Sequence, residues 1–235
     1  MQNNTKKLTL AVGALMGLAA MQAHASTIVL PLGGLHTGAN ILNYFDGGSD
    51  SVPNDGTGPN LGITFSSNAT VQKAGSNAAT GAGKFENEPS GQGEILYFSS
   101  ANPATANALN FAAGFTGVSF SYSLSANSSA FAGVADLWSG LNGTGTLLGT
   151  LSLNAAAATT NCAVRTDAYC TWSFATDSNF GTAESLTFGS NSTASFTEFD
   201  GVTLTTSPVP LPAAGWLMIS GLASLGGWMR RRRAV

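Results

Sequence analysis

The sequence predicts an all-β fold, an antiparallel β-sandwich, on three observations. Val118-Ser119-Phe120-Ser121-Tyr122-Ser123-Leu124-Ser125 alternates apolar residues with serines, which puts one face of a strand in a core and the other toward water. Short runs of aromatic and branched aliphatic residues recur along the chain, separated by Gly, Asn, Asp and Ser. Between Ser26 and Ser207 no helical periodicity and no internal repeat interrupts that pattern.

The expected strands follow in chain order. Ile41-Tyr44-Phe45 opens the set, followed by Ile63-Phe65, Ile95-Tyr97-Phe98 and the alternating run from Val118. Val134-Leu137-Trp138, Leu147-Leu151-Leu153, Trp172-Phe174, Leu186-Phe188 and Val202-Leu204 complete it. The opening strand is expected to end at Phe45-Asp46-Gly47 and the last to begin at Phe199-Asp200-Gly201-Val202. This length is too large for a minimal seven-strand module and suits a jelly-roll. The layout is similar to extracellular jelly-roll modules, carbohydrate-binding ones included, whose first and last strands lie side by side. That likeness implies a binding role only at the level of fold.

Charged residues are 9% of the chain, against about a quarter in an average domain. Their distribution matters more than their number. Lys6 and Lys7 lie at one end and Arg230, Arg231, Arg232 and Arg233 at the other. Between them only Lys73, Lys84 and Arg165 oppose all 12 acids, so three bases against twelve acids leave a net charge of −9. Such a surface repels phosphate backbones and excludes nucleic acid as a partner.

Both ends carry addresses. Lys6-Lys7, an apolar run from Leu8 to Met21 and the small-x-small site Ala23-His24-Ala25 make a signal peptide that signal peptidase would cut before Ser26. The run is shorter than the roughly 20 residues a membrane span needs. At the other end, Val209-Pro210-Leu211-Pro212 sits in a Pro-rich, extended stretch. Ala213 to Met229 follows as 17 residues without a charge, just enough to cross a bilayer at about 1.5 Å per residue. Arg230 to Arg233 then hold the end on the cytoplasmic side. Gly215, Gly221, Gly226 and Gly227 each weaken an isolated helix by up to about 1 kcal/mol, which suits a temporary anchor better than a permanent one.

The Pro motif, apolar run and Arg cluster resemble a PEP-CTERM sorting tail, over about the last 26 residues. Leu211 stands where the family name has Glu, making this the Val-Pro-Leu-Pro variant. The resemblance implies a Gram-negative bacterium that makes exopolysaccharide. It also implies transient inner-membrane insertion, and an exosortase that recognises Val209 to Pro212 and removes the tail. The chain thus reads as a signal peptide (1–25), an exported β-sandwich domain (26–207) and a sorting tail (208–235).

Candidate chemistry within the domain is sparse. Cys162 and Cys170 are the only cysteines, and in an oxidising compartment they are expected to pair, closing a loop of nine residues that holds Arg165, Asp167 and Tyr169. Such a loop contributes roughly 2–3 kcal/mol in the chain-entropy model. His36 is the sole His of the processed chain, too few for a multi-His zinc site. No G-x-S-x-G or H-E-x-x-H motif occurs. Asp46, Asp50 and Asp55 cluster among glycines, and Asp200 joins them if the terminal strands are neighbours. Together they offer oxygen ligands for calcium, with solvated turn aspartates as the alternative. Glu86, Glu88 and Glu94 would serve a glycoside hydrolase only if two carboxylates faced each other about 5–10 Å apart. Trp138, Trp172, Tyr97, Tyr122 and Tyr169 are candidates for stacking on sugars, although aromatics on alternating strands usually pack inward. The residues therefore favour a non-enzymatic envelope or matrix protein with a structural or adhesive role. A carbohydrate-binding module and a glycoside hydrolase are the alternatives.

Overall fold

The computed structural model describes residues 25–53, 56–75, 85–98, 107–124, 133–153, 170–190 and 197–207. Ala23, Asp55, Cys162, the motif Val209 to Pro212 and Arg230 to Arg233 lie outside them. Residues Ser26–Ser207 form one compact unit.

The described residues are all-β, in two antiparallel sheets. One sheet runs β3 (Ala69–Lys73), β4 (Glu94–Phe98), β11 (Thr197–Thr205), β6 (Gly117–Leu124) and β9 (Ser173–Asp177), with β1 (Thr27–Val29) also paired to β11. The other runs β2 (Ile63–Phe65), β5 (Ala108–Phe115), β10 (Ala183–Ser190), β7 (Gly133–Gly140) and β8 (Thr144–Leu153). A 3-10 turn, Leu141–Gly143, joins β7 to β8.

The inner faces meet in one apolar core, as the alternation requires. Phe120 and Tyr122 of β6 point inward, as do Leu96 and Phe98 of β4, Leu186 and Phe188 of β10, and Phe199 of β11. Four rings form its centre. Phe188 lies 4.7 Å from Phe98, 4.4 Å from Phe199 and 5.9 Å from Phe120 between centroids. Phe199 itself is 2% exposed and meets Phe98 and Phe120 edge to face at 6.0 and 5.5 Å. Such geometry adds about 0.5–1.5 kcal/mol per pair beyond burial.

One expected strand is a different structure. Residues 41–45 are a chain of turns, with Leu42 at a positive φ of 52°. Their backbone groups are divided between the two sheets, which no single strand of either can manage. Gly38 N–H donates to Val71 O, Val71 N–H to Ala39 O and Ile41 N–H to Ala69 O, along the free edge of β3. Further on, Leu61 and Ile63 N–H donate to Phe45 O and Phe65 N–H to Leu42 O, along the edge of β2. Segment 38–47 therefore closes one flank of the sandwich by main-chain hydrogen bonds. Ile41 and Phe45 are fully buried here, so their apolar character reflects a plug, not a pleat.

The first and last strands are adjacent, though the first is Thr27–Val29. Ser26 O accepts from Thr206 N–H at 2.8 Å and from Thr206 Oγ1 at 3.2 Å. Phe199→Ala is expected to cost about 3–5 kcal/mol by emptying the centre of the ring cluster. Equilibrium denaturation of the two proteins in urea checks it.

Candidate functional site

The outer face of the six-stranded sheet holds the least ordinary side chains. Phe199 faces the core, so its neighbours Glu198 and Asp200 face away from it. Outward carboxylates normally meet water, yet Glu198 is 1% exposed and Asp200 0%. Register explains what surrounds them. Thr70, Tyr97, Glu198 and Ser123 are successive cross-strand neighbours on β3, β4, β11 and β6. One rung along, Asp200 pairs with Ser121, and Ser121 with Phe174 of β9.

A second apolar cluster packs on this face. Ile95, one residue from inward-facing Leu96, is buried with Ala74 and Phe85, and Trp172 leans on them. The Phe85 and Trp172 rings are 6.3 Å apart, and Trp172 Nε1 donates to Glu86 O at 2.8 Å. Ser123 Oγ donates to Thr171 O at 2.8 Å, bringing the approach to β9 over the same face.

Asp200 is fully engaged. Its Oδ2 accepts from Ser90 N–H at 2.6 Å and its Oδ1 from Ser90 Oγ at 2.5 Å. Ser90 in turn receives Gln92 N–H, and Gln92 Nε2 donates to Leu30 O, while Gly33 N–H donates to Gln92 Oε1. This network fills the gap beside β11 where β4 gives way to β1. The ladder shifts register there between Asp200 and Thr203, and Gly201 takes a φ of 60°. A bulge of that kind needs the left-handed backbone that glycine adopts at least cost.

Glu198 is handled differently. Its Oε2 has no hydrogen-bond partner among the described residues. Burial raises its pKa well above 4.5, because an ion in this enclosure lacks the solvation it has in water. Across the ladder, Tyr97 is raised above 10.0, first by burial and then by the charge of Glu198. Glu198 is thus a carboxyl group held toward its neutral, proton-donating form.

The acidic turn region is separate. Asp46 is exposed and Asp50 buried, with Asp50 Oδ1 accepting from Val52 N–H at 2.9 Å. Ser49 to Pro53 with Gly56 and Thr57 line a depression of about 470 Å³. Among the described residues no three of His, Cys, Asp and Glu converge as metal ligands. Asp46, Asp50 and Asp200 are therefore not brought together as a set, although β1 and β11 are neighbours. Asp55 lies outside the described residues.

A second depression, about 510 Å³, lies against β2, β5 and the 3-10 turn, with Asp46, Thr64, Asn110, Phe111, Leu141 and Asn142 in its lining. Asn110 Nδ2 donates to Asn142 Oδ1 at 2.9 Å and Asn142 N–H returns to Asn110 Oδ1 at 2.7 Å. Asn142 holds φ 56°, ψ 37°, a left-handed conformation that Asn tolerates better than most residues.

The remaining candidates are dispersed. Ala25, Ser26 and His36 are exposed, and Glu86 is buried. Glu88 Oε1 accepts from Gly93 N–H at 3.0 Å, and Glu94 pairs in register with Lys73. Tyr122 is in the core, and Trp138 donates through Nε1 to Thr187 Oγ1 at 2.9 Å. Cys170 is disulfide-bonded, while Cys162 and Tyr169 lie outside the described residues. Glu198 was not among the candidates. The strand pattern marks it as outward, but nothing local to it says that the outward face is covered.

No protein-family model matches the chain, and no curated protein matches it either.

Because the folded state holds the Glu198 proton more tightly than the unfolded chain does, this group's contribution to stability is greatest below the ordinary glutamate range. It is lost as pH rises toward the folded pKa. Glu198→Gln is expected to raise the melting temperature at pH 7–8, with the gain vanishing below about pH 4. Parallel thermal melts across that range check it, and an equal gain at every pH would contradict the assignment.

Proposed function

We propose that this chain is an exported envelope or extracellular-matrix protein, sorted through its tail by an exosortase. Its sandwich, read as jelly-roll-like, has a structural or adhesive role linked to exopolysaccharide. The observation that carries this reading is the pair of addresses in the sequence flanking one compact unit, Ser26–Ser207. The geometry supports it at the points where the addresses join. Thr206 is hydrogen-bonded to Ser26, so the expected cleavage point and the start of the tail leave the same corner of the domain. A folded domain with both ends at one corner does not obstruct processing at either. In this reading Cys162 partners Cys170, a bond that requires the oxidising side of the membrane.

Mass spectrometry of the mature protein from its native cells is expected to give an N-terminus at Ser26, loss of the tail and a mass two hydrogens short of the reduced form. Replacing Val209, Pro210, Leu211 and Pro212 with alanine is expected to leave the protein in the inner-membrane fraction. An intact, reduced, cytosolic chain would sink the proposal.

The second reading, a carbohydrate-binding module, is favoured by the depression at Asn110 and Asn142. It combines fixed amide groups with the exposed apolar side chain of Leu141, the mixture that sugar hydroxyls and ring faces require. Titration with the producing cell's own polysaccharide is expected to show binding that Leu141→Ala weakens. No heat and no retention on that polysaccharide would dismiss it.

A further inference from the structure

The two flanks of the sandwich are treated oppositely. Segment 38–47 hydrogen-bonds along the outer edges of β3 and β2 and closes that side. The opposite flank ends in β9 and β8, and among the described residues β8 has β7 as its only strand partner. An edge strand left with free N–H and C=O groups is a template for another strand, and natural edges are usually blunted by lysine, proline or short length. β8 has no lysine, no proline and is not short, and its bulges against β7 are confined to the turn end. It is ten residues, Thr144-Gly-Thr-Leu-Leu-Gly-Thr-Leu-Ser-Leu153, without a charge or a proline. It is exposed from Thr144 to Leu147 and again at Thr150 and Ser152, and Leu147 stands 48% exposed. Its register shifts against β7 fall between Leu137 and Gly140, toward the turn, leaving the pairing from Gly149 to Leu153 regular.

We infer that β8 is a self-association edge, at which a second copy of this chain pairs its own β8 antiparallel and joins two five-stranded sheets into one. The occupant follows from charge. The region between the two addresses carries a net charge of −9, so most faces of the domain repel a second copy. β8 is a long neutral segment, and two antiparallel copies of it set only Thr, Leu, Gly and Ser against one another. Two acids lie near β8 and both are set back from its outer edge: Asp136 of β7, across the ladder, accepts from Thr150 Oγ1 at 2.6 Å, and Asp177 of β9 approaches Gly149 on the side where Leu137 also lies. Antiparallel pairing of identical edges is also closed by a two-fold axis, which yields a dimer and stops. The inference goes beyond the export reading and does not rest on it.

The test uses the protein purified from its native cells, whichever fraction holds it, in sedimentation equilibrium from low to several hundred micromolar. A reversible monomer–dimer equilibrium is expected. Leu147→Lys and Thr146→Lys, both at exposed positions, are each expected to weaken it by about tenfold or more, while Phe174→Lys on β9 leaves it unchanged. Hydrogen exchange adds a readout tied to the edge itself: amides within Thr144–Leu153 should slow as concentration rises. Circular dichroism establishes that the variants are folded. A monomer throughout overturns the inference, as does a dimer indifferent to both lysines with no concentration-dependent protection in β8.

Discussion

Strand β11 is the constraint on which the rest of the structure depends. It is nine residues long and pairs with β6 along one edge, and with β4 and then β1 along the other. Among the described residues no other strand of this sheet pairs with three partners. Its inward residues, Phe199, Val202 and Leu204, belong to the core, and Phe199 anchors the ring cluster that joins the two sheets. Where β4 gives way to β1 along one edge, the pairing with β6 on the other edge shifts register between Asp200 and Thr203, and Gly201 and the Asp200–Ser90 pair lie at the same point. Packing, register and the buried polar network thus all trace to one strand serving three neighbours.

The two outward acids of that strand show alternative answers to the same physical demand. A buried carboxylate needs hydrogen bonds or must give up its charge. Asp200 has the first answer, two short bonds from a single serine that also organise the loop carrying Gln92. Glu198 has the second, since one of its oxygens finds no donor among the described residues and burial favours the protonated group. Both carboxyls are buried on the outer face, the face on which Phe85, Ile95 and Trp172 also form an apolar cluster, so neither has bulk water to solvate it.

Much of the architecture was legible in the sequence, and the gaps have identifiable causes. Alternation located β6 because its serines face the less apolar side, and the apolar pairs of β4, β7, β8 and β10 located those strands. β1 and β3 were missed because Thr27–Val29 and Ala69–Lys73 are short and carry little apolar area. β5 was missed because Ala108–Phe115 is buried along most of its length and so shows no alternation. Ile41 to Phe45 misled in the opposite direction, since a buried turn and a buried strand are equally apolar. The site residues divide in the same way. Asp46, Asp50 and Asp200 were visible as acids, but whether they meet depends on pairings between distant strands. Glu86 and Glu198 are buried on a face where Phe85 and Trp172, 87 positions apart, pack together, and no local window contains such a contact.

The bond between Ser26 and Thr206 spans 180 positions of the chain. A polypeptide emerging from a membrane pore with its front end first would expose β1, β4 and β6 long before their shared neighbour. Until Thr205 appeared, those three segments would have a vacant lane between them, and neither the sheet nor the aromatic centre could close. In any process that delivers the chain front end first, this sheet can therefore be completed only once its connector, β11, is available.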